Sequence, residues 1–336
     1  MNQRSKKILR SVLPGDAYAA VRRQWHKLLS WKNDDIHTAY QRSRLWPRIL
    51  ATPPLYTDPP GQDIDISVHL MCHQPDYVAA IWALKSFYYQ AQVTFPLVIH
   101  VQGLTTPELR ENLRKHFPTA RVILQDEADE IVNGFLTSNN LKNLHRLRSH
   151  VPMVQKLTDN MIMAGSRRVL NMDSDILFFN EPTELTRDAT AVALFQRDFQ
   201  DSYVITKESA KMDLGIELKP QLCAGLALIA PSLIDWARCE SRFAHPAFTR
   251  LDGQAEQTLY ALEASRSGRV SYLPDSYAIS AGGPMDCSLL KARHYAGGSR
   301  PLFTREGIPY LIRTGFLEAL ESGFGARASS VPQGVH

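Results

Sequence analysis

The chain has no run of about eighteen apolar residues, and its N-terminus lacks the apolar core of a secretory signal. Neither a membrane span nor export is therefore expected, and the expected location is the cytoplasm. Cysteine is scarce. Cys72, Cys223, Cys239 and Cys287 form no CxxC pair and are too few for a disulfide framework, so they are expected as reduced thiols in or near a core. There is no internal repeat. No recognised nucleic-acid-binding motif accompanies the basic residues, so nucleic acid is not an expected partner. What is present is the composition of a folded globular protein, 44% hydrophobic and 21% charged, which argues against disorder or a fibre. A length of 336 residues can hold one large α/β domain or two small ones.

Charge is unevenly placed. Residues 1–50 hold eleven Lys or Arg against three Asp, a surplus of eight, whereas the formal net charge of the whole chain is only +4. Within this region Asp16 to Trp31 reads as an amphipathic helix, with Tyr18, Val21, Trp25, Leu28 and Leu29 on one face. Ala51 to Gly61 contains four prolines, which remove backbone donors and disfavour helix, so it reads as a linker. Residues 1–62 are accordingly expected to form a basic helical arm and linker, 63–323 the main domain and 324–336 a disordered tail. The arm suits either peripheral contact with anionic lipid or glycan, or a solvated helix packed on the body.

From Ile64 the pattern alternates. Ile64 to Cys72 reads as a buried strand, Tyr77 to Tyr89 as a helix, Leu97 to Val101 as a strand and Pro107 to His116 as a helix. Thr106 before Pro107 is a good helix start, because a hydroxyl can cap free amides and proline lacks one of them. Arg121 to Leu124 is the next strand, and Val151 to Ala164 the helix before the strand Arg168 to Met172. Further on, Ala191 to Phe195 and Cys223 to Ile229 read as strands, Gln254 to Glu263 as a helix, and Phe303 to Ser322 contains a late amphipathic helix. Alternating βαβ units predict an α/β fold with a mostly parallel, doubly wound sheet, binding ligands beyond the carboxyl ends of its strands.

Two segments carry chemistry. Arg168-Val169-Leu170-Asn171-Met172-Asp173-Ser174-Asp175 places two carboxylates at the end of an apolar strand, a spacing that can hold Mg²⁺ or Mn²⁺ with positions left for phosphate oxygens. The same pair also fits a turn or helix cap, and a second D-x-D, Asp63-Ile64-Asp65, precedes a strand and reads as solvated. Later, Lys291-Ala292-Arg293-His294-Tyr295-Ala296-Gly297-Gly298-Ser299-Arg300-Pro301 offers a histidine nitrogen, glycines that let amides approach a diphosphate, and basic side chains to balance its charge. Taken singly, a histidine also fits a structural role and Gly-Gly a turn.

Together the two segments resemble the GT-A glycosyltransferases, and in particular the retaining enzymes of glycosyltransferase family 8. There a strand ending in D-x-D is followed, more than a hundred residues later, by an H-x-x-G-x-x-K-P segment whose histidine completes the metal site and whose glycine and lysine hold diphosphate. The resemblance covers about residues 66–305. It implies a GT-A fold, Asp173, Asp175 and His294 as ligands of Mn²⁺ or Mg²⁺, and contacts to a nucleotide-sugar donor from Ser174, Gly297 and Arg300, arginine standing in the lysine position. Lys156, seventeen residues before Asp173, matches a basic donor-contacting residue, although it also fits an ordinary helix surface. Cys223-Ala224-Gly225 resembles the N-x-G segment beside the donor sugar, with asparagine replaced. Glu256-Gln257 resembles the pair that contacts the sugar and approaches its anomeric carbon, and also fits an amphipathic helix surface. Met71 to Asp76 departs from the acidic residues that read the nucleotide in many relatives, so a UDP-sugar is an expectation of the resemblance alone.

The implied reaction is transfer of a hexosyl group from that donor, with retention, to an acceptor hydroxyl of a glycan or lipid-linked precursor in cell-surface polysaccharide or glycolipid synthesis. An aspartyl phosphotransferase would instead show D-x-D-G-T after an early strand. A non-catalytic protein that binds sugar nucleotides or glycans on the same fold is the alternative.

Overall fold

The computed structural model describes residues 36–57, 65–103, 106–187, 193–248, 252–280 and 282–323. The helix expected over Asp16 to Trp31 and the tail from residue 324 lie outside the described residues. Ten strands are described: β1 (Ile66–His73), β2 (Leu97–Gln102), β3 (Arg121–Leu124), β4 (Arg168–Asp173), β5 (Ile176–Phe178), β6 (Ala193–Arg197), β7 (Leu222–Ile229), β8 (Val270–Tyr272), β9 (Tyr277–Ile279) and β10 (Ala292–His294). Seven of them form a central sheet in the order β3-β2-β1-β4-β7-β6-β8, and β5-β10-β9 form a smaller one. In the central sheet only β7 runs against its neighbours, β4 and β6, so the expected α/β class and mostly parallel sheet are present.

Parallel strands need crossover helices on both faces, and their sequences then read as continuous apolar runs. Ile66–His73 is buried at every position but the last, with Ser67 and His69 the polar members of an otherwise apolar strand up to Cys72. Alternation sorts each strand between two cores: Leu170 and Met172 of β4 join the cluster under the Tyr77–Ala91 helix, while Val169 joins the one under Leu157, Met161 and Leu259. Residues 36–57, read from sequence as arm and linker, pack on the first of these cores through Leu45, Ile49 and Leu55. Lys85 ties them down. Fully buried, it donates to Thr52 Oγ1 at 2.7 Å and to the Pro53 carbonyl at 2.6 Å.

Two local expectations are corrected. The Pro107–His116 helix begins as expected, but the Thr106 hydroxyl caps no amide and instead engages the Glu108 carboxylate. The late helix is broken into a π-turn over Phe303–Gly307 and helices Ile308–Arg313 and Phe316–Glu321. Pro309 has no N–H to continue the ladder, and Gly315 adopts φ +82°, so neither joint suits an uninterrupted α-helix.

On the second face of the sheet lies a buried polar layer. His69 Nδ1 meets His100 Nε2 at 3.1 Å, His69 Nε2 meets Ser67 Oγ at 3.0 Å, and the two rings stack at 5.3 Å. Burial, reinforced by His100 and Arg121, holds His69 well below the usual imidazole range. Burial, with Arg121 and Arg148, pushes His100 down to about 3. Both are neutral in the folded chain, whereas the unfolded chain takes up their protons near pH 6.5. Their contribution to stability is therefore complete above about pH 6.5 and is lost as pH falls towards the folded value, at up to about 1.4 kcal/mol per pH unit for each ring. The urea midpoint should drop between pH 7.5 and pH 5, and His100→Gln, though less stable at neutral pH, should show a shallower drop.

Candidate metal and donor site

The carboxyl ends of β1, β2 and β4 lie side by side, at His73, Gln102 and Asp173. Asp173 is the last residue of β4, and a two-residue turn carries Asp175 to the start of β5. Antiparallel pairing then delivers the histidine: His294 of β10 sits opposite Ile176, and the Tyr295 amide donates to the Asp175 carbonyl at 2.9 Å. Residues far apart in sequence thus meet through three residue pairs between β5 and β10. His294 Nε2 lies 3.2 Å from Asp175 Oδ1 and 3.6 Å from Asp173 Oδ2.

Three cations surround the two carboxylates. Lys156, buried in the Gln155–Met163 helix, donates from Nζ to both oxygens of Asp173, at 2.8 and 3.1 Å. Arg300, half exposed, donates from Nε to Asp175 Oδ2 at 3.0 Å. Burial opposes the charge on Lys156, but Asp173 and Glu256 outweigh it and hold the ammonium above its usual range. Burial likewise opposes charging of His294, and Asp175 more than reverses this, lifting the imidazole well above its ordinary value. For Asp175, burial works against the anion, yet His294 and Arg300 bring its carboxyl well below the usual range.

The donor set fits a divalent ion. One ligand atom from each of Asp173, Asp175 and His294 lies within 4.8 Å of the others, and two carboxylates with one imidazole suit Mn²⁺ or Mg²⁺. Such an ion competes with the histidine proton for Nε2. Gly225 keeps this cluster closed: a Cβ there would stand 2.5 Å from His294 Cε1 and 2.7 Å from Asp173 Oδ2. Behind the ring, Cys223 Sγ lies 3.8 Å from His294 Nδ1, so the cysteine that departs from the N-x-G pattern abuts the histidine.

The remaining candidates spread outward. Ser174 is buried in the turn between the two aspartates. Gly297 opens a short turn with φ +58°, a backbone shape that disfavours a side chain, three residues before Arg300. Glu256 and Gln257 lie in the first turn of the Ala255–Ser267 helix. Glu256 is buried. Burial pushes its carboxyl up to about 7 against the pull of Lys156, and its Oε1 has no hydrogen-bond partner. Gln257, half buried, donates to the Ser202 carbonyl at 3.4 Å. Lys291 is not at the site: its ammonium is taken by Glu184 and Thr183, each at 2.7 Å.

Several supporting residues gave no functional signal in the sequence. Asn171 accepts from Asn160 at 2.9 Å and donates to Tyr260 Oη at 3.2 Å, and Tyr260 in turn donates to the Lys156 carbonyl at 3.2 Å. An amide inside the apolar run Val169 to Met172 was the visible hint. Arg148, fully buried, grips Asp159 with two bonds of 2.8 Å and so fixes the helix that carries Lys156.

No protein-family model matches the chain, and no curated protein matches it. Among solved structures it is similar to mouse xyloside xylosyltransferase 1, at 13% identity and TM-score 0.48, covering 70% of this chain and 99% of that one. It is also similar to the galactosyltransferase LgtC in complex with donor and acceptor sugar analogs, at 15% identity and TM-score 0.45, over 80% and 98% of the two chains. A third is the mannosyltransferase Ktr4p of S. cerevisiae, at 10% identity and TM-score 0.41, over 71% and 78%.

Gly225→Ala should keep the fold but lower Mn²⁺ affinity by about ten-fold or more, measured by titration calorimetry, because the added methyl displaces two ligands at once. Asp173→Ala and Asp175→Ala should differ in stability. The first leaves the buried Lys156 without its partner and should cost about 3 kcal/mol in urea unfolding, whereas the second frees the half-exposed Arg300 into water and should cost less.

Proposed function

We propose that this protein is a metal-dependent glycosyltransferase of GT-A type that transfers a glycosyl group from a nucleoside diphosphate sugar to an acceptor hydroxyl. The observation that carries this reading is the convergence of Asp173, Asp175 and His294 at the carboxyl edge of the sheet, with Lys156 on both oxygens of Asp173 and Arg300 on Oδ2 of Asp175. A bound divalent ion supplies Lewis-acid stabilisation for the negative charge that grows on a departing diphosphate.

The chain's own residues do the rest. Arg300, on the open side, can turn its guanidinium from Asp175 to a phosphate oxygen at little cost in solvation. Gly297 and Gly298 carry no side chain, so the backbone of this turn can come close to the same anion. Lys156 stays with Asp173 and sets the charge of the cluster. On the sugar side, charge develops in the opposite sense, an oxocarbenium-like centre that oxygen atoms stabilise. Gln257 has its amide nitrogen held by Ser202, which leaves Oε1 for that centre. Glu256, buried one residue before Gln257 in the same helical turn, completes the sugar side of the proposal and reaches a sugar only by exposing its unpartnered Oε1. Uridine as the base, a hexose as the sugar and retention of configuration follow from the family 8 resemblance and are part of the proposal. The proposed acceptor is a glycan or lipid-linked hydroxyl in cell-surface polysaccharide or glycolipid synthesis, reached from the cytoplasm.

The test is a panel of nucleoside diphosphate sugars incubated with Mn²⁺, Mg²⁺ or EDTA, following free nucleoside diphosphate. Release from one donor should require metal and should fall at least about a hundred-fold in His294→Ala and Asp175→Ala, a loss of roughly 3 kcal/mol in barrier lowering. Donor turnover that is indifferent to EDTA and to both substitutions would remove the proposal.

A further inference from the structure

Residues 36–57 contain Arg42, Arg44 and Arg48 and no Asp or Glu. The Ile36–Leu50 helix has two unlike faces. Its inner face buries Leu45 and Ile49 and sets Trp46 edge-on to Phe303 at 6.5 Å, while Arg305 Nη2 donates to Thr38 Oγ1 at 2.7 Å. Its outer side gives large apolar and aromatic groups to solvent: Tyr40 is 54% exposed and Leu50 37%, and Tyr56, just beyond the helix, is 45% exposed. Arg44 and Arg48 are exposed among them. The Arg44 guanidinium lies over the Tyr40 ring at 5.7 Å and donates to its hydroxyl at 3.4 Å. Neither Arg44 nor Arg48 forms an ion pair among the described residues.

A helix that only faces water gains from interspersed charges of both signs, and nothing is gained by exposing two tyrosines and a leucine beside unpaired arginines. The same combination suits the boundary of a bilayer. Tyrosine rings and aliphatic tips settle at headgroup depth, and arginines with long apolar stems reach the phosphates of anionic lipids. Each cation near such a surface adds attraction, and residues 1–35, with eight Lys or Arg against three Asp, supply more along the same chain. We propose that the helix side carrying Tyr40, Arg44 and Arg48, spaced four residues apart, docks on an anionic lipid bilayer.

The helix is held from within by the Phe303–Gly307 turn, which begins three residues after Arg300. The docking does not rest on the transferase reading.

The test uses the full chain and flotation with vesicles of phosphatidylcholine alone or mixed with phosphatidylglycerol. Binding should require the anionic lipid and weaken at high salt, and it should fall about ten-fold or more in Arg44→Glu/Arg48→Glu. Tyr40→Ser should weaken it less steeply and leave the salt dependence in place. Both variants should keep the circular dichroism and donor hydrolysis of the parent. Equal vesicle binding by the parent and both variants would overturn the proposal, because residues 1–35, intact in all three, would then account for it. Comparable affinity for duplex DNA would also overturn it, marking the face as a general polyanion surface. Absence of donor hydrolysis in the parent alongside normal vesicle binding would sink the transferase reading and leave the docking standing.

Discussion

Two carboxylates held at one strand end repel each other, and the surrounding structure answers that repulsion. Asp173 and Asp175 present oxygens within 4.8 Å, a separation at which like charges cost about 3–4 kcal/mol at an effective dielectric near 20. Lys156, His294 and Arg300 each approach the pair from a different element: a crossover helix, a strand of the small sheet and the segment beyond it. The fold is arranged so that these elements meet. A cluster that concentrates this much balanced charge at an open edge is suited to exchanging one cation for another, and to accepting the anion that such a cation brings.

The scaffolding is polar where the site needs a fixed position and apolar elsewhere. The Gln155–Met163 helix is held by Arg148 through Asp159 and by Tyr260 and Asn171 from the sheet. Gln102 at the end of β2 donates to the Pro152 carbonyl at 2.9 Å and to Gln155 Oε1 at 2.7 Å, fixing the approach to the same helix. The small sheet is braced in a similar way: Arg293, adjacent to His294, is fully buried and paired with Glu306, and Lys291 is paired with Glu184. Arg293 is the buried member of these pairs, and its bond to Glu306 holds the strand on which His294 is the next residue.

Much of the sheet was legible because its strands are mostly apolar and buried, with few polar positions to break the pattern. The Pro107–His116 helix and β3 lie where the periodicity placed them. The helices Gln125–Ser138 and Lys142–His150 gave no such signal, and strands β8, β9 and β10 have three residues each, too short for any period to register. Lys291 shows the limit most clearly. By spacing it belonged with His294 and Arg300, but β10 turns alternate side chains to opposite faces, and Lys291 points to Glu184 instead.

The sequence by itself determined the α/β class, the strand that ends in Asp173 and the residue types able to hold a divalent ion, because these are local properties of pattern and chemistry. Only the tertiary structure decided that His294 completes the cluster, that Lys156 faces Asp173 rather than solvent, that Gly225 must lack a side chain, and that residues 36–57 belong to the folded body. The reason is the same in each case. Strand register and helix packing join segments tens to more than a hundred residues apart, and no local signal specifies which face each segment turns toward the other.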